Sequence, residues 1–255
     1  MTNLFDLRGR VALVTGGNGG IGLAIAKALA RAGADILIAG RNAEKNIVAA
    51  AQIAELDVLA ETLVVDVTAE AACHAMVAAT VERLGRLDIL VNNAGISLAG
   101  RPESLSLEKF RAVLDTNLTS TFICAQAAYP VMKAQGSGKV INIGSMYSLF
   151  GGPFVPAYAA SKGAVVQLTK SQATAWAADN IQVNAILPGW IDTDMSRRAR
   201  SRSPEFEAAI VARTPAGRWG DPDDLAGAAI FLSSDASNFI TGATIAVDGG
   251  FSVSG

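Results

Sequence analysis

The chain has 255 residues, 51% of them hydrophobic and 17% charged, with a formal net charge of −2. Such a chain can bury one large core and suits a single α/β domain spanning 1–255. The near-neutral charge gives no pull toward nucleic acid or an anionic membrane, and polar residues interrupt every apolar run before a membrane-spanning length, so neither partner is expected.

The opening MTNLFDLRGR carries Asp6, Arg8 and Arg10 and lacks the apolar stretch of a signal peptide. Cys73 and Cys124 stand far apart and the lone His74 has no matching ligands, so no metal site is expected. At this size no disulfide is needed; a reducing, cytoplasmic setting fits.

Along the chain, short β-branched runs alternate with Ala-rich amphipathic segments. Strands are predicted at Val11–Thr15, Asp35–Ala39, Thr62–Val65, Asp88–Asn92, Val140–Ile143, Gln182–Ile186 and Ala243–Val247. Helices are predicted near Ile21–Ala32, Ala43–Ala54, Ala69–Leu84, Leu107–Gln135, Ala157–Ala178 and Pro222–Leu232, the last entered through an Asp221 N-cap. This alternation is the βαβ pattern of a parallel sheet with helices on both faces. Gly189 to Gly220 breaks it with a long, Arg- and Ser-rich connection, which reads as a substrate lid.

The first strand runs into VTGGNGGIG, so the glycines sit between a buried strand and a helix. Both GxGxxG (Gly17, Gly19, Gly22) and TGxxxGxG (Gly16, Gly20, Gly22) fit; the second is preferred because Thr15-Gly16 ends the strand where the turn must begin. Either way, missing Cβ atoms let the backbone approach a pyrophosphate at the positive helix end. At the end of the second strand, where an NAD site usually carries a carboxylate, stand Gly40 and then Arg41. A guanidinium there can bind a 2′-phosphate, which favours NADP(H), with NAD(H) possible; the bland alternative is a solvated Arg41 paired with Glu44.

Further on, PAYAASKGAVVQLTK is mostly small and apolar, yet Tyr158 and Lys162 interrupt it one helical turn apart. They could be rim residues. Alternatively, the ammonium favours the phenolate and makes the phenol, ordinarily titrating near 10, a usable acid and base.

Taken together, Thr15-Gly16-x-x-x-Gly20-x-Gly22, Asn92-Asn93-Ala94-Gly95, Asn117, Ser145, Tyr158-x-x-x-Lys162 and Pro188-Gly189 resemble the short-chain dehydrogenase/reductase family over essentially the whole chain. The resemblance implies a Rossmann-type, doubly wound parallel sheet of about seven strands in order 3-2-1-4-5-6-7. It implies interconversion of a secondary alcohol and a ketone by hydride transfer, with Tyr158 as general acid/base. Lys162 would tune the phenol and hold the nicotinamide ribose, Ser145 would hydrogen-bond the substrate oxygen, and Asn117 would link a water to the lysine. Cofactor contacts carry over to Gly16, Asn18, Gly20, Ile21, Gly22, Asp66, Val67, Asn93, Ala94, Gly95, Pro188, Gly189, Ile191 and Thr193, with Asn92 fixing the central sheet. Gly144 departs from the pattern, since many relatives carry a second serine there. A homotetramer is the family habit.

For the substrate, Tyr147, Phe150, Phe154, Trp190 and Met195 offer aromatic and apolar walls, while Ser97, Ser148 and Asp192 offer hydrogen bonds; Tyr147 and Trp190 join Ser145 and Tyr158 as the expected substrate contacts. The arginines of SRRARSRS (Arg197, Arg198, Arg200, Arg202) could clamp an anionic group, although a solvated charged face is the preferred reading. FDLRGRVALVTGG and the GRN turn resemble the branch that includes gluconate 5-dehydrogenase and 2-deoxygluconate 3-dehydrogenase, with 3-oxoacyl-carrier-protein reductases close by. A non-catalytic dinucleotide sensor is the alternative of another class; the presence of Asn117, Ser145, Tyr158 and Lys162 argues against it.

Overall fold

Residue alternation along the first two strands shows how the sheet is built. In β1 (Val11–Thr15), Ala12 and Val14 join one apolar cluster and Leu13 the other; in β2 (Asp35–Gly40), Ile36 and Ile38 face the first cluster and Leu37 and Ala39 the second. Successive side chains of a strand point to opposite faces, so a run that is apolar throughout needs helices on both sides. A computed structural model, which describes residues 3–200 and 204–254, has that arrangement.

The remaining strands are β3 (Ala60–Val64), β4 (Ile89–Asn92), β5 (Gly138–Ile143), β6 (Ile181–Pro188) and β7 (Thr244–Val247), all parallel, in the order β3-β2-β1-β4-β5-β6-β7. The expected sheet and strand order are therefore present. β3 starts two residues before the predicted segment and ends one before, because as an edge strand it is not distinguished by continuous burial: Val64 is exposed and the buried Val65 lies past its end.

Helices α1 (Gly20–Arg31) and α2 (Ala43–Ala54) cover one face. On the other lie α3 (Glu70–Leu84) and the long segment predicted at Leu107–Gln135. That segment is not uniform. It comprises α4 (Leu107–Leu114), a π-helical turn at Asp115–Thr119, and α5 (Ser120–Gln135). Its sequence DTNLTST explains the wide turn: the hydroxyls of Thr116, Ser120 and Thr121 donate back to the carbonyls of Ala112, Thr116 and Asn117. Such turns are frequent at functional sites, and Asn117 lies in this one.

Helix α6 (Pro156–Trp176) carries Tyr158 and Lys162 in its first two turns. The connection after β6 contains α7 (Asp194–Arg200) and α8 (Pro204–Arg213). The expected helix at Pro222–Leu232 is a 3-10 turn, Pro222–Leu225, followed by α9 (Ala226–Ser233); Asp221 caps it and exchanges bonds with Asp224. The chain order reverses direction between β1 and β4, and ligands of open α/β sheets lie at the strand ends beside such a switch.

Candidate active site

The glycine loop is held from beneath by Thr15 and Asn93. Thr15 Oγ1 accepts from the amides of Asn93 and Ala94, while Asn93 Nδ2 donates to the carbonyls of Thr15 and Gly16, both at 3.0 Å. Gly16 and Gly20 lie at φ +63° and +50°, and a Cβ on Gly22 would collide with the Gly16 carbonyl oxygen and Asn93 Nδ2. Helix α1 then begins with no side-chain cap and no acid in its first turn, so its leading amides are free for an anion. These features fit a bound dinucleotide pyrophosphate.

At the end of β2, Arg41 is exposed and makes no ion pair with Glu44. Asp66 accepts at Oδ1 from the amide and hydroxyl of Thr68, which holds its carboxyl below the ordinary range, with Arg41 adding a smaller push in the same direction. The Val67 side chain lies in the core, so only its main chain is available to a ligand. Ile191 is likewise turned inward: its side chain packs with the α1 face and its carbonyl accepts from Ser196 Oγ. Gly189 is needed where β6 meets β7, since a Cβ would come within 2.6 Å of the Asp248 Cα. Thr193 packs over Gly20, joining the start of the connection after β6 to the glycine loop.

Ser145, Tyr158 and Lys162 come together at the ends of β5 and α6. Ser145 stands beside Tyr158 and acts to lower its phenol. Lys162 Nζ lies 5.7 Å from the Tyr158 ring centroid and donates at 2.7 Å to the Ile143 carbonyl. The expectation that the ammonium lowers the phenol is not met. Burial, the largest cause, pushes Tyr158 above its ordinary value and Tyr147 beside it adds to the rise, against the opposing pull of Ser145; burial also lowers Lys162 to about 8. At neutral pH the phenol therefore carries its proton.

Asn117 is 1% exposed. Its Oδ1 accepts from the Ile96 amide at 2.8 Å, and Nδ2 donates to the Ile96 carbonyl and to Ser161 Oγ, both at 3.0 Å. With both amide protons committed and the main-chain carbonyl already accepting from Thr121 Oγ1, only the remaining lone pairs of its two oxygens are left for the relay that the resemblance implies.

Ser148, read from the sequence as a substrate contact, is a brace. Its hydroxyl accepts from the Ser145 amide at 3.2 Å and donates to the Lys162 carbonyl at 2.7 Å. The S-x-x-S spacing from Ser145 was the available signal. Gly144 is explained as well, because a Cβ there would collide with Leu187.

Beside Tyr158 stands an aromatic wall. Tyr147 packs edge-on to Tyr158 and to Trp190, with centroids 6.0 and 5.9 Å apart, and Trp190 packs on Phe206, Trp219 and Phe251. Of the arginines in the connection after β6, Arg197 pairs with Asp192 and Asp194, and Arg200 with Asp192 and Glu207. Arg202 and the side chain of Arg198 lie outside the described residues. Among the described residues no cluster of metal-binding side chains is present, and no helix is long and apolar enough to cross a membrane.

A family model described as "Enoyl-(Acyl carrier protein) reductase" matches residues 16–252. The chain is 43% identical over 252 residues to gluconate 5-dehydrogenase of Gluconobacter oxydans strain 621H, covering 99% of this chain and 98% of that one. The chain belongs to the short-chain dehydrogenase/reductase family. It is thus an NAD(P)-dependent oxidoreductase of CH–OH groups. A second member, 2-dehydro-3-deoxy-D-gluconate 5-dehydrogenase of Bacillus subtilis strain 168, is 45% identical over 248 residues, 97% of this chain and 96% of that one. Among solved members, gluconate 5-dehydrogenase from Burkholderia cenocepacia J2315, in complex with NADP and tartrate, superposes with a TM-score of 0.94 at 42% identity, covering 99% and 98% of the two chains.

Proposed function

We propose that this dehydrogenase/reductase interconverts a secondary hydroxyl and a ketone on a sugar acid, using NADP(H), with Tyr158 as the proton carrier. The observation that carries the reading is the convergence of Ser145 and Tyr158 beside the buried Lys162, whose Nζ lies 5.7 Å from the Tyr158 ring centroid. When bound, the coenzyme supplies hydride to the ketone carbon or removes it from the carbinol carbon. Tyr158 gives its proton to the carbonyl oxygen in reduction and takes it back in oxidation. The Ser145 hydroxyl holds that same oxygen and steadies its developing charge. Lys162 would hold the nicotinamide ribose and supply positive charge behind the phenol, and Asn117 fixes Ile96 and Ser161 around it.

The free amides of Gly20, Ile21 and Gly22, with the turn at Gly16 and Asn18, would receive the pyrophosphate. Arg41 would bind the 2′-phosphate; its exposure, and the absence of a carboxylate at Gly40, support NADP(H) over NAD(H). Asp66 and the main chain of Val67 would meet the adenine, Asn93, Ala94 and Gly95 the adenosine side, and Pro188, Gly189, Thr193 and the main chain of Ile191 the carboxamide end. Tyr147 and Trp190 would form the substrate wall. The sugar-acid assignment draws on the named activities of the gluconate-type relatives and on the tartrate held by one of them. A single domain with a lid at 189–220, a cytoplasmic setting and a homotetramer complete the reading; the exposed Leu107, Phe122, Phe239 and Val253 offer apolar surface for subunit contacts.

The test is a panel of gluconate-type acids and their keto forms, assayed with both coenzymes. Turnover with NADP(H) that Tyr158→Phe lowers ~10²–10⁴-fold supports the proposal. Activity confined to acetoacetyl thioesters would replace it with a carrier-protein reductase, and no turnover across the panel would leave a dinucleotide sensor. A preference for NAD(H) would remove the role given to Arg41.

A further inference from the structure

Asn46 lies in the first turns of α2, has been given no role above, and is 1% exposed. Its carboxamide is engaged on both sides. Nδ2 donates to the carbonyls of Gly40 at 2.9 Å and Leu63 at 3.0 Å, the last residue of β2 and the next-to-last of β3. Oδ1 accepts from Asn18 Nδ2 at 2.6 Å. One buried side chain thus fastens the glycine loop to the strand end from which Arg41 projects. The packing there has no slack: a Cβ on Gly40 would come within 2.5 Å of Asn18 Nδ2 and 2.8 Å of Asn46 Oδ1.

Resting on the coenzyme reading above, we infer that Asn46 is a positioning residue for coenzyme selectivity. It sets the distance between the glycine loop, which would take the pyrophosphate, and the Gly40–Arg41 peptide, which would take the 2′-phosphate. A dinucleotide bridges those points, so a register error between them weakens a ligand that needs both more than one that needs the loop alone. The amide suits the task. It can donate twice and accept once in a fixed plane, whereas a hydroxyl cannot span all three partners.

The test measures calorimetric dissociation constants of adenosine 2′,5′-bisphosphate and of 5′-AMP, for wild type and for Asn46→Ala, Asn18→Ala and Gly40→Ala. Wild type should bind the bisphosphate more tightly. Asn46→Ala should cut that preference ~10-fold, about the effect of one lost buried hydrogen-bonded contact, and raise KM for NADPH more than it changes kcat. Gly40→Ala, which leaves Asn46 in place but crowds Asn18 off it, should lower the preference in the same direction. Asn18→Ala and Asn46→Ala together should cost clearly less than the product of the single effects, as expected of coupled neighbours. Should Asn46→Ala fail to fold, Gly40→Ala and Asn18→Ala decide alone. An unchanged preference in the folded variants overturns the inference and leaves the coenzyme reading standing. Wild type that binds neither nucleotide overturns both.

Discussion

Lys162 Nζ donates a 2.7 Å hydrogen bond to the carbonyl oxygen of Ile143, the last residue of β5. The bond holds an ammonium that is 4% exposed against a neutral oxygen, with no carboxylate to offset its burial. This is why Lys162 falls to about 8 while the neighbouring Tyr158 rises.

Both protons of this pair enter the chemistry. Reduction requires both protons, one on the phenol to be donated and one on the ammonium. Oxidation requires the state that has lost one proton, which includes phenolate beside ammonium. Accordingly kcat/KM for reduction should be level below pH 7 and fall with an apparent pKa near 8, and kcat/KM for oxidation should rise through the same region. Steady-state profiles in both directions check this. Level profiles from pH 6 to 10 would show that the lowered Lys162 does not govern turnover.

Ser148→Ala should lower kcat ~10-fold or more while moving KM for coenzyme little. The brace joins the Ser145 amide to the Lys162 carbonyl, and its loss leaves the Ser145 amide without a partner at ~1–3 kcal/mol. Activity equal to wild type would show that Ser145 needs no such support.

Two glycine substitutions in one loop should behave oppositely. Gly22→Ala places a methyl against the Gly16 carbonyl and Asn93, so it should lower stability by ~1–3 kcal/mol and weaken coenzyme binding. Gly19 is extended at φ 179° and a Cβ there meets nothing within 4 Å; Gly19→Ala should melt within a few degrees of wild type. Thermal unfolding of the two variants separates the outcomes.

Lys139, 4% exposed at the far end of β5, donates from its ammonium to Ser237 and Asn238; burial is the main cause lowering it to about 8, and Arg10 adds to the shift. Between pH 8 and 10.5 the unfolded chain keeps a proton that the folded chain has released, so stability rises with pH across this window. Lys162 contributes with the same sign. Lys139→Met should remove about half of the rise, read as melting temperature between pH 8 and 10. A slope unchanged from wild type would contradict the lowered lysine.

Much of the architecture was legible in the chain because its causes are local. The all-apolar run Val11–Thr15 demands helices on both faces, VTGGNGGIG demands a tight strand-to-helix turn, and a spacing of four residues puts Tyr158 and Lys162 on one side of any helix. Other properties arise between segments remote in sequence and had no local signature. The π turn at Asn117 depends on where three hydroxyls find carbonyls. The inward turn of Ile191 depends on a core lined by α1, and the Asn46 clasp joins residues 18, 40 and 63. Even the protonation of the Tyr–Lys pair reversed expectation. Spacing sets which side chains are neighbours, but the desolvation that governs their charge comes from everything packed around them.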